Sequence, residues 1–268
     1  MVVAGKDFSA VRTIHTWDKG RRLSLAMIAL GVLMLGTVGG YYLYSVIARA
    51  QLGELAFTVP LDETDQSGGF SAIYPGSLVP SLFWDDPRWT DVDYDSNSQL
   101  FEGFTRVGGN DLPAKAGGLA APTRIEIPSI GLRSIVKTLD IINYGDAWGW
   151  ETPKDVVGHI PATPNPGEAG NGYFFGHLRS PVRGEGSIFR NLTQIPDLLR
   201  KGQDIYVVLY NEEDTAYLYQ ISQTTVIPQE DFSLQSSPDS TITLVACVPA
   251  YIYDQRLLVT AKLVGVKG

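Results

Sequence analysis

The longest run of hydrophobic positions in the chain predicts a membrane-spanning helix near the N-terminus. Leu23 to Ile47 is a stretch of 25 residues without a charged side chain. At about 1.5 Å per residue, a helix of this length crosses a hydrocarbon layer of about 30 Å. Ala48-Arg49-Ala50 has the small-x-small pattern of a signal-peptide cleavage site, but the apolar core of a signal peptide has only about 7–15 residues. We therefore expect residues 23–47 to be retained as one transmembrane helix.

The distribution of charge on either side of this helix predicts its orientation. The residues before it contain five basic and two acidic side chains, whereas the residues after it contain 16 basic and 27 acidic ones. Basic residues favour the cytoplasmic side of a membrane. Residues 1–22 are thus expected to form the cytoplasmic tail of a single-pass protein of the cell membrane, with the rest of the chain on the other side.

The segment after the helix, residues 48–120, has no sustained helical or strand periodicity. It is rich in Gly, Pro, Ser and Asp, and between Gly53 and Ala120 it carries 11 acidic and three basic residues. This composition is typical of a linker. We predict an extracytoplasmic stalk, part of which packs on the following domain because the segment contains several aromatic residues.

From residue 121 to residue 268 the pattern changes to short β-type runs separated by turn residues. Such a pattern predicts a mainly β domain, and a closed or nearly closed β-barrel would leave no exposed sheet edge. Short helices are expected at Ser187–Asn191 and Asp197–Arg200. The predicted strands are Arg124–Ile127, Leu132–Val136, Gly172–Phe175, Asp204–Tyr210, Ala216–Thr225, Thr241–Val245 and Leu257–Leu263.

Composition excludes several classes of protein. With 44% hydrophobic and 19% charged residues, the chain is not wholly disordered. The net charge of −8, with no basic stripe after residue 22, argues against nucleic-acid binding. The single cysteine can form neither an internal disulfide nor a cysteine cluster for zinc.

Three residues capable of catalysis lie at the ends of the predicted strands. Cys247 follows the apolar run Thr241–Ala246, His177 follows Gly172–Gly176, and Arg256 stands nine positions after Cys247 at the start of the last strand. Strand ends are positions where a rigid scaffold presents functional groups. Taken singly, however, a cysteine at a strand end also fits core packing and an arginine there also fits a solvated charge.

The residues alone do not decide which histidine would act together with Cys247. The chain has three histidines, and His15 is predicted to be cytoplasmic, which leaves His159 and His177 for chemistry with Cys247. His159 stands in Val157-Gly-His-Ile160 before a proline-rich turn, without an obvious preceding buried strand. His177 is therefore the preferred candidate and His159 its rival.

Five segments of the C-terminal half occur in an order and at distances typical of one family. They are Ile127-Pro-Ser-Ile-Gly-Leu132, Pro166-Gly-Glu-Ala-Gly-Asn-Gly-Tyr-Phe-Phe-Gly-His177, Leu192 with Lys201-Gly-Gln-Asp-Ile205, Thr243-Leu-Val-Ala-Cys247, and Arg256. Together they resemble the sortases, over about residues 122–265. The resemblance implies a membrane-anchored cysteine transpeptidase with an eight-stranded β-barrel and no required cofactor.

The resemblance also implies roles and partners. Cys247 would attack a C-terminal sorting signal of a surface protein, His177 would move the proton, and Arg256 would hold the oxyanion. The acyl fragment would pass to an amine of a peptidoglycan precursor or a pilin lysine. Ala246 and Leu178 depart from common sortase residues, and the short connection from Cys247 to Arg256 is more similar to classes C, D and E than to class A. The alternatives are a cysteine endopeptidase of the same fold and an inactive anchored binding module.

An acidic pattern in the stalk matches the spacing of a calcium-binding loop. Asp91, Asp93, Asp95 and Glu102 stand at loop positions 1, 3, 5 and 12 of an EF-hand. Ser96 occupies the position that normally needs glycine, and flanking helices are not apparent. The pattern therefore fits either a calcium site or a solvated acidic stretch.

Just before this pattern, Asp86-Pro87-Arg88-Trp89 is similar to the Asp-Pro-aromatic lid of class C sortases. The aromatic residue stands one place late. Asp86 and Trp89 are thus candidates for a self-inhibiting plug, and a packed or flexible stalk is the alternative.

Overall fold

A computed structural model describes residues 14–60, 100–107, 117–143, 145, 148–151, 153–179, 184 and 186–268. The chain divides into two compact units, one ending at Ala50 and the other comprising Gln51–Gly268. Each unit is described by itself.

The first unit is a single long helix, α1, over Ile14–Ala50. It contains the predicted segment 23–47, and it is long and apolar enough to cross a membrane, with a mean hydropathy of 2.0 in its most apolar window. The apolar side chains between Leu23 and Ile47 are exposed, as lipid-facing residues would be. The hydroxyls of Ser24, Thr37 and Ser45 donate to backbone carbonyls three residues earlier, so these polar groups are satisfied within the helix.

The second unit is built on a closed β-barrel, which confirms the predicted fold class. It contains the short helix α2, Ile195–Arg200. The strands are β1 Phe57–Thr58, β2 Thr105–Arg106, β3 Pro122–Ile127, β4 Leu132–Thr138, β5 Ile141–Asn143, β6 Trp148–Trp150, β7 Val157–His159, β8 Gly170–Phe175, β9 Tyr206–Asn211, β10 Ala216–Pro228, β11 Ser240–Val248 and β12 Gln255–Lys267.

Eight of these strands form the ring in the order β10–β9–β3–β4–β7–β8–β11–β12, and pairing of β12 with β10 closes it. The pairs β4–β7 and β8–β11 are parallel, and the other neighbours in the ring are antiparallel. Closure satisfies the backbone hydrogen bonds that an open sheet would leave at its edges. β5 and β6 form a separate hairpin between β4 and β7.

Alternation along the strands separates the barrel interior from its outer face. In β11, the even-numbered residues Ile242, Leu244, Ala246 and Val248 belong to the main core, together with residues such as Phe174, Leu257 and Val259 from the neighbouring strands. Val245 belongs to a smaller cluster on the other side of the sheet. Because successive side chains of a strand point to opposite faces, odd-numbered residues of β11 project outward.

Two described segments of the predicted stalk pair with the barrel. β1 pairs with β10, and β2 pairs with β12. Phe101 is buried, and Phe104 packs with it against Tyr206 and Leu218. The aromatic residues in this part of the chain therefore cover the outer face of the sheet.

All seven predicted strands coincide with observed ones, but the predicted helix at Ser187–Asn191 is wrong. These residues form a turn in which the Arg190 amide donates to the Ser187 carbonyl, 3.0 Å. The segment is too short for a ladder of i to i−4 bonds, and the helical turns begin only at Leu192.

Candidate active site

Cys247 and Arg256 are direct neighbours across two antiparallel strands. Cys247 is the penultimate residue of β11 and Arg256 the second residue of β12, and the strand register pairs them. Residues paired in this way have Cα atoms about 4.5–5.5 Å apart and side chains on the same face of the sheet. The thiol and the guanidinium therefore project side by side, although nine positions separate them in the sequence.

The parallel pairing of β8 with β11 leads the chain toward Cys247 on the side opposite Arg256, and His177 follows β8. The register pairs Phe175 with Val245, and the Gly176 amide donates to the Val245 carbonyl at 3.3 Å. Two further residues along each strand lead to His177 and Cys247. Adjacent strands lie about 4.8 Å apart, and His177 and Cys247 therefore lie close to the same end of two neighbouring strands.

The side chains of Cys247 and Arg256 lie on the outer face of the barrel, close to one end of β11 and β12. Ala246 and Leu257 belong to the interior core, whereas Val245 and Leu258 belong to the outer cluster, and alternation groups Cys247 and Arg256 with the latter pair. Both residues are half-buried, as is His177. The thiol is thus partly shielded from water without being enclosed in the hydrophobic interior.

Burial and a neighbouring charge act on the thiol in opposite directions. Burial raises the pKa of Cys247 above its usual value, and the positive charge of Arg256 partly offsets this effect. The net shift is upward, so the resting thiol is predominantly protonated at neutral pH. Reaction at this sulfur consequently requires a group that accepts its proton.

The guanidinium of Arg256 is held by carbonyl groups of its own loop. One terminal nitrogen donates to the backbone carbonyl of Tyr253 at 2.9 Å and to that of Gln255 at 3.1 Å. A guanidinium has five N–H donors, and these two bonds use one of its terminal nitrogens. The other edge of the planar group can donate to a ligand oxygen.

An aromatic wall borders the site on the outer face. Phe232, in the loop between β10 and β11, meets Phe175 edge to face at 5.8 Å and Tyr173 at 6.0 Å between ring centroids. The Tyr173 hydroxyl accepts the Gln235 amide at 2.7 Å and so anchors the same loop. This wall was not predicted from the sequence, because no local pattern indicates that Phe232 packs on strand β8.

His159, the rival histidine, lies on the inner face of the sheet. It is the last residue of the buried strand β7 and pairs with Phe174, whose ring is 4.9 Å from its own. Its Nε2 contacts the Pro164 carbonyl at 3.2 Å. Burial lowers the pKa of His159 to about 4, so the ring is neutral at physiological pH. The prediction that no buried strand precedes His159 was wrong, because β7 is such a strand. His159 is separated from Cys247 because its side chain points to the interior of the barrel.

The stalk candidates lie mostly outside the described residues. This holds for Asp86, Trp89, Asp91, Asp93 and Asp95. Glu102 is described: it is exposed, and its backbone carbonyl accepts a bond from Lys267 at 3.0 Å. Within the described part of the chain, no group of three or more His, Cys, Asp or Glu side chains is arranged to hold a metal.

Two surface clefts of the second unit lie apart from the three candidate residues. One, of about 260 Å³, is lined by residues that include Asp155 and Asn191, and the other, of about 330 Å³, by residues that include Phe104 and Tyr210. Neither is lined by Cys247, His177 or Arg256. The candidate site is the strip of sheet surface at the ends of β8 and β11 and the start of β12.

Comparison with known proteins identifies the class to which this barrel and strip belong. The model of the sortase domain matches residues 125–264, about half of the chain. The chain belongs to the sortase family. Sortases are cysteine transpeptidases, and they act without a required cofactor.

Solved structures with similar folds include sortases of more than one class. Sortase C1 from Streptococcus agalactiae is 20% identical with a TM-score of 0.39, over 53% of this chain and 66% of that one. Sortase C-3 from Streptococcus pneumoniae is 23% identical with a TM-score of 0.40, over 59% and 67%. The sortase D5 transpeptidase of Clostridium perfringens is 23% identical with a TM-score of 0.39, over 66% and 92%. A search of curated proteins found no match.

Proposed function

We propose that this protein is a membrane-anchored sortase that cleaves a C-terminal sorting signal and transfers the acyl fragment to a surface amine. Cys247 is the nucleophile, His177 the general acid and base, and Arg256 the oxyanion donor. The observation that supports the proposal is the pairing of Cys247 with Arg256 across β11 and β12, together with the parallel pairing of β8 and β11 that leads toward His177. In the proposed arrangement the nucleophile is in the middle, with a proton carrier on one side and a fixed cation on the other.

The first step makes a thioester. The Cys247 thiol gives its proton to His177, and the sulfur attacks the carbonyl carbon of the scissile peptide bond. Arg256 donates to the oxyanion that forms, because a fixed cation stabilises charge that develops in the transition state. When the carbon–nitrogen bond breaks, His177 returns the proton to the departing amine.

The second step resolves the thioester with an amine. The incoming nitrogen attacks the same carbonyl carbon, and His177 takes one of its protons. Collapse of the oxyanion forms the new amide bond and releases the Cys247 sulfur, which regains its proton from His177. Atoms and protons balance over the cycle without a cofactor.

Anchoring of the enzyme fits the location of both substrates. We propose that α1 crosses the cell membrane once with its N-terminus in the cytoplasm, so that residues after it face the cell surface. Membrane lipid then surrounds α1, and surface proteins with sorting signals and an amine of a peptidoglycan precursor or a pilin reach the barrel from the same side.

The proposal is tested by mass spectrometry of the full chain incubated with a panel of sorting-signal peptides in the absence of an amine acceptor. A mass increase on Cys247 equal to the N-terminal peptide fragment is expected, and it should be absent from Cys247→Ala. His177→Ala should reduce the adduct strongly. No adduct with any peptide, in protein shown to be folded, would refute the proposed reaction.

A second arm of the experiment separates transfer from hydrolysis. Adding an amine such as diglycine or an N-acetyl lysine should divert the product from acid to amide. Acid as the sole product at saturating amine would instead identify a cysteine endopeptidase. An inert binding module would show neither product, and labelling of Cys247 by a thiol-directed electrophile would not depend on His177.

A further inference from the structure

The loop between Cys247 and Arg256 contains two tyrosines in the left-handed region of backbone conformation. Tyr251 has φ of 69° and Tyr253 has φ of 63°. This region is unfavourable for bulky L-residues because Cβ approaches the following carbonyl oxygen. Residues kept in such conformations are held there by their surroundings, and they concentrate at functional sites. The contacts of each tyrosine therefore indicate what the loop holds in place.

Tyr253 contacts both Arg256 and the segment that follows His177. Its backbone carbonyl accepts the bond from the Arg256 guanidinium at 2.9 Å, and its amide donates to the Pro249 carbonyl at 3.0 Å. Its side-chain hydroxyl donates to the backbone carbonyl of Arg179, two residues after His177. One residue thus connects the guanidinium to the segment that follows the imidazole.

Of the two residues that Tyr253 contacts in this way, Tyr251 contacts only Arg179. Its hydroxyl accepts a bond from the Arg179 side chain at 3.3 Å, and its side chain is 47% exposed. Among the described residues it forms no hydrogen bond with Arg256. The two tyrosines therefore differ in their link to the guanidinium while they share the same loop, the same backbone region and the same partner residue.

We propose that Tyr253 is a positioning residue that aims the Arg256 guanidinium at Cys247. The hydroxyl bond to Arg179 keeps Tyr253 in its left-handed conformation, and that conformation directs its carbonyl to the guanidinium. When the hydroxyl bond is lost, the backbone relaxes toward an ordinary φ, the carbonyl turns away, and Arg256 loses its fixed direction. The role of Tyr253 in catalysis rests on the proposed function, but the position of Arg256 also affects the pKa of the Cys247 thiol, which can be measured without a substrate.

The test compares Tyr253→Phe with Tyr251→Phe in the full chain. Each variant removes one hydroxyl and leaves the ring. The first measurement is the rate of Cys247 alkylation by iodoacetamide between pH 6 and pH 10, which reports on one sulfur because the chain has a single cysteine. Because Arg256 favours the thiolate, Tyr253→Phe should move the midpoint upward by about half a pKa unit, about threefold in thiolate fraction. Tyr251→Phe should leave the midpoint at its wild-type value.

The second measurement is acyl-enzyme formation with a sorting-signal peptide. Tyr253→Phe should lower kcat about five- to tenfold with KM changed less than twofold, since the oxyanion contact is formed only in the transition state. A purely structural role would lower the melting temperature and the active fraction but would not move the alkylation midpoint. An unchanged midpoint in Tyr253→Phe, or an equal shift in both variants, would overturn the inference.

The two measurements separate this inference from the proposed function. If the wild-type protein forms no acyl adduct, the proposed reaction fails, but the alkylation midpoint still shows whether Tyr253 aims Arg256. If the adduct forms and the midpoints of wild type and Tyr253→Phe coincide, the positioning inference fails and the proposed reaction stands.

Discussion

His159 makes the stability of the barrel dependent on pH. Its ring is 1% exposed, and burial lowers its pKa to about 4, against about 6.5 in the unfolded chain. As the pH falls, the unfolded chain takes up the proton first, since its pKa is the higher one. The stability contributed by the neutral ring is therefore complete above pH 6.5 and is lost progressively between pH 6.5 and pH 4.

The size of this effect follows from the two pKa values. A difference of about 2.5 pKa units corresponds to about 3 kcal/mol in the free energy of unfolding. About 2 kcal/mol of this is lost between pH 8 and pH 5. Such a loss is a large part of the total stability of a domain, which is about 5–15 kcal/mol.

The assay is urea unfolding of the full chain in a mild detergent, followed by tryptophan fluorescence at pH 8 and pH 5. The wild-type protein should lose about 2 kcal/mol more than His159→Gln over this interval, whatever the stability of the variant at pH 8. Glu168 does not interfere with this comparison of pH dependence. Burial opposes its ionisation, but backbone N–H bonds, including those of Leu119 and Asn165, lower its pKa, so it titrates below this interval.

Equal pH dependence in the two proteins would refute the reasoning, because it would mean that the imidazole is solvated or protonated in the folded state. Unequal urea slopes between the two proteins would show that the variant changes the extent of unfolding, and the comparison would then be made from thermal unfolding instead.

Four further predictions concern the site and the stalk. Arg256→Gln should raise the alkylation midpoint of Cys247 and slow alkylation at pH 7.5 about three- to tenfold, and an unchanged midpoint would contradict the pairing of their charges. Phe232→Ala should raise KM for a sorting-signal peptide several-fold with little change in alkylation by iodoacetamide; equal effects on both would show general loosening. Replacing Asp86 and Trp89 by alanine should raise turnover if they form a plug, and lower or unchanged turnover with an intact fold would exclude one. Calcium should stabilise the protein against heat if the 91–102 stretch binds it, an effect that should vanish in a variant with its aspartates changed to asparagine.

The barrel was predictable because its long strands carry a clear pattern. In β10 and β11, buried residues alternate or run without interruption, and turn residues mark their ends. β7 has only three residues and includes a glycine, so it has no period to detect, and its place in the ring depends on pairing with β4 and β8. β1 and β2 have two residues each, and they are strands only because long strands lie beside them.

The candidate residues were predictable as a set, but their arrangement was not. Cys247, His177 and Arg256 are unusual residues at strand ends, and the sequence motifs that surround them are those of one family. Which strands lie side by side is decided by pairing between segments about 70 residues apart, and no local pattern encodes it. The same limit applies to Tyr253, whose backbone conformation and hydroxyl contact with Arg179 exist only in the folded loop.

Strand β12 carries Arg256, and it also closes the ring by pairing with β10. Detachment of this strand would open the barrel and remove the guanidinium in a single event. A molecule in which β12 is detached therefore loses the pairing of Arg256 with Cys247 together with the closed ring, and under the proposed function it would lose its activity in the same event.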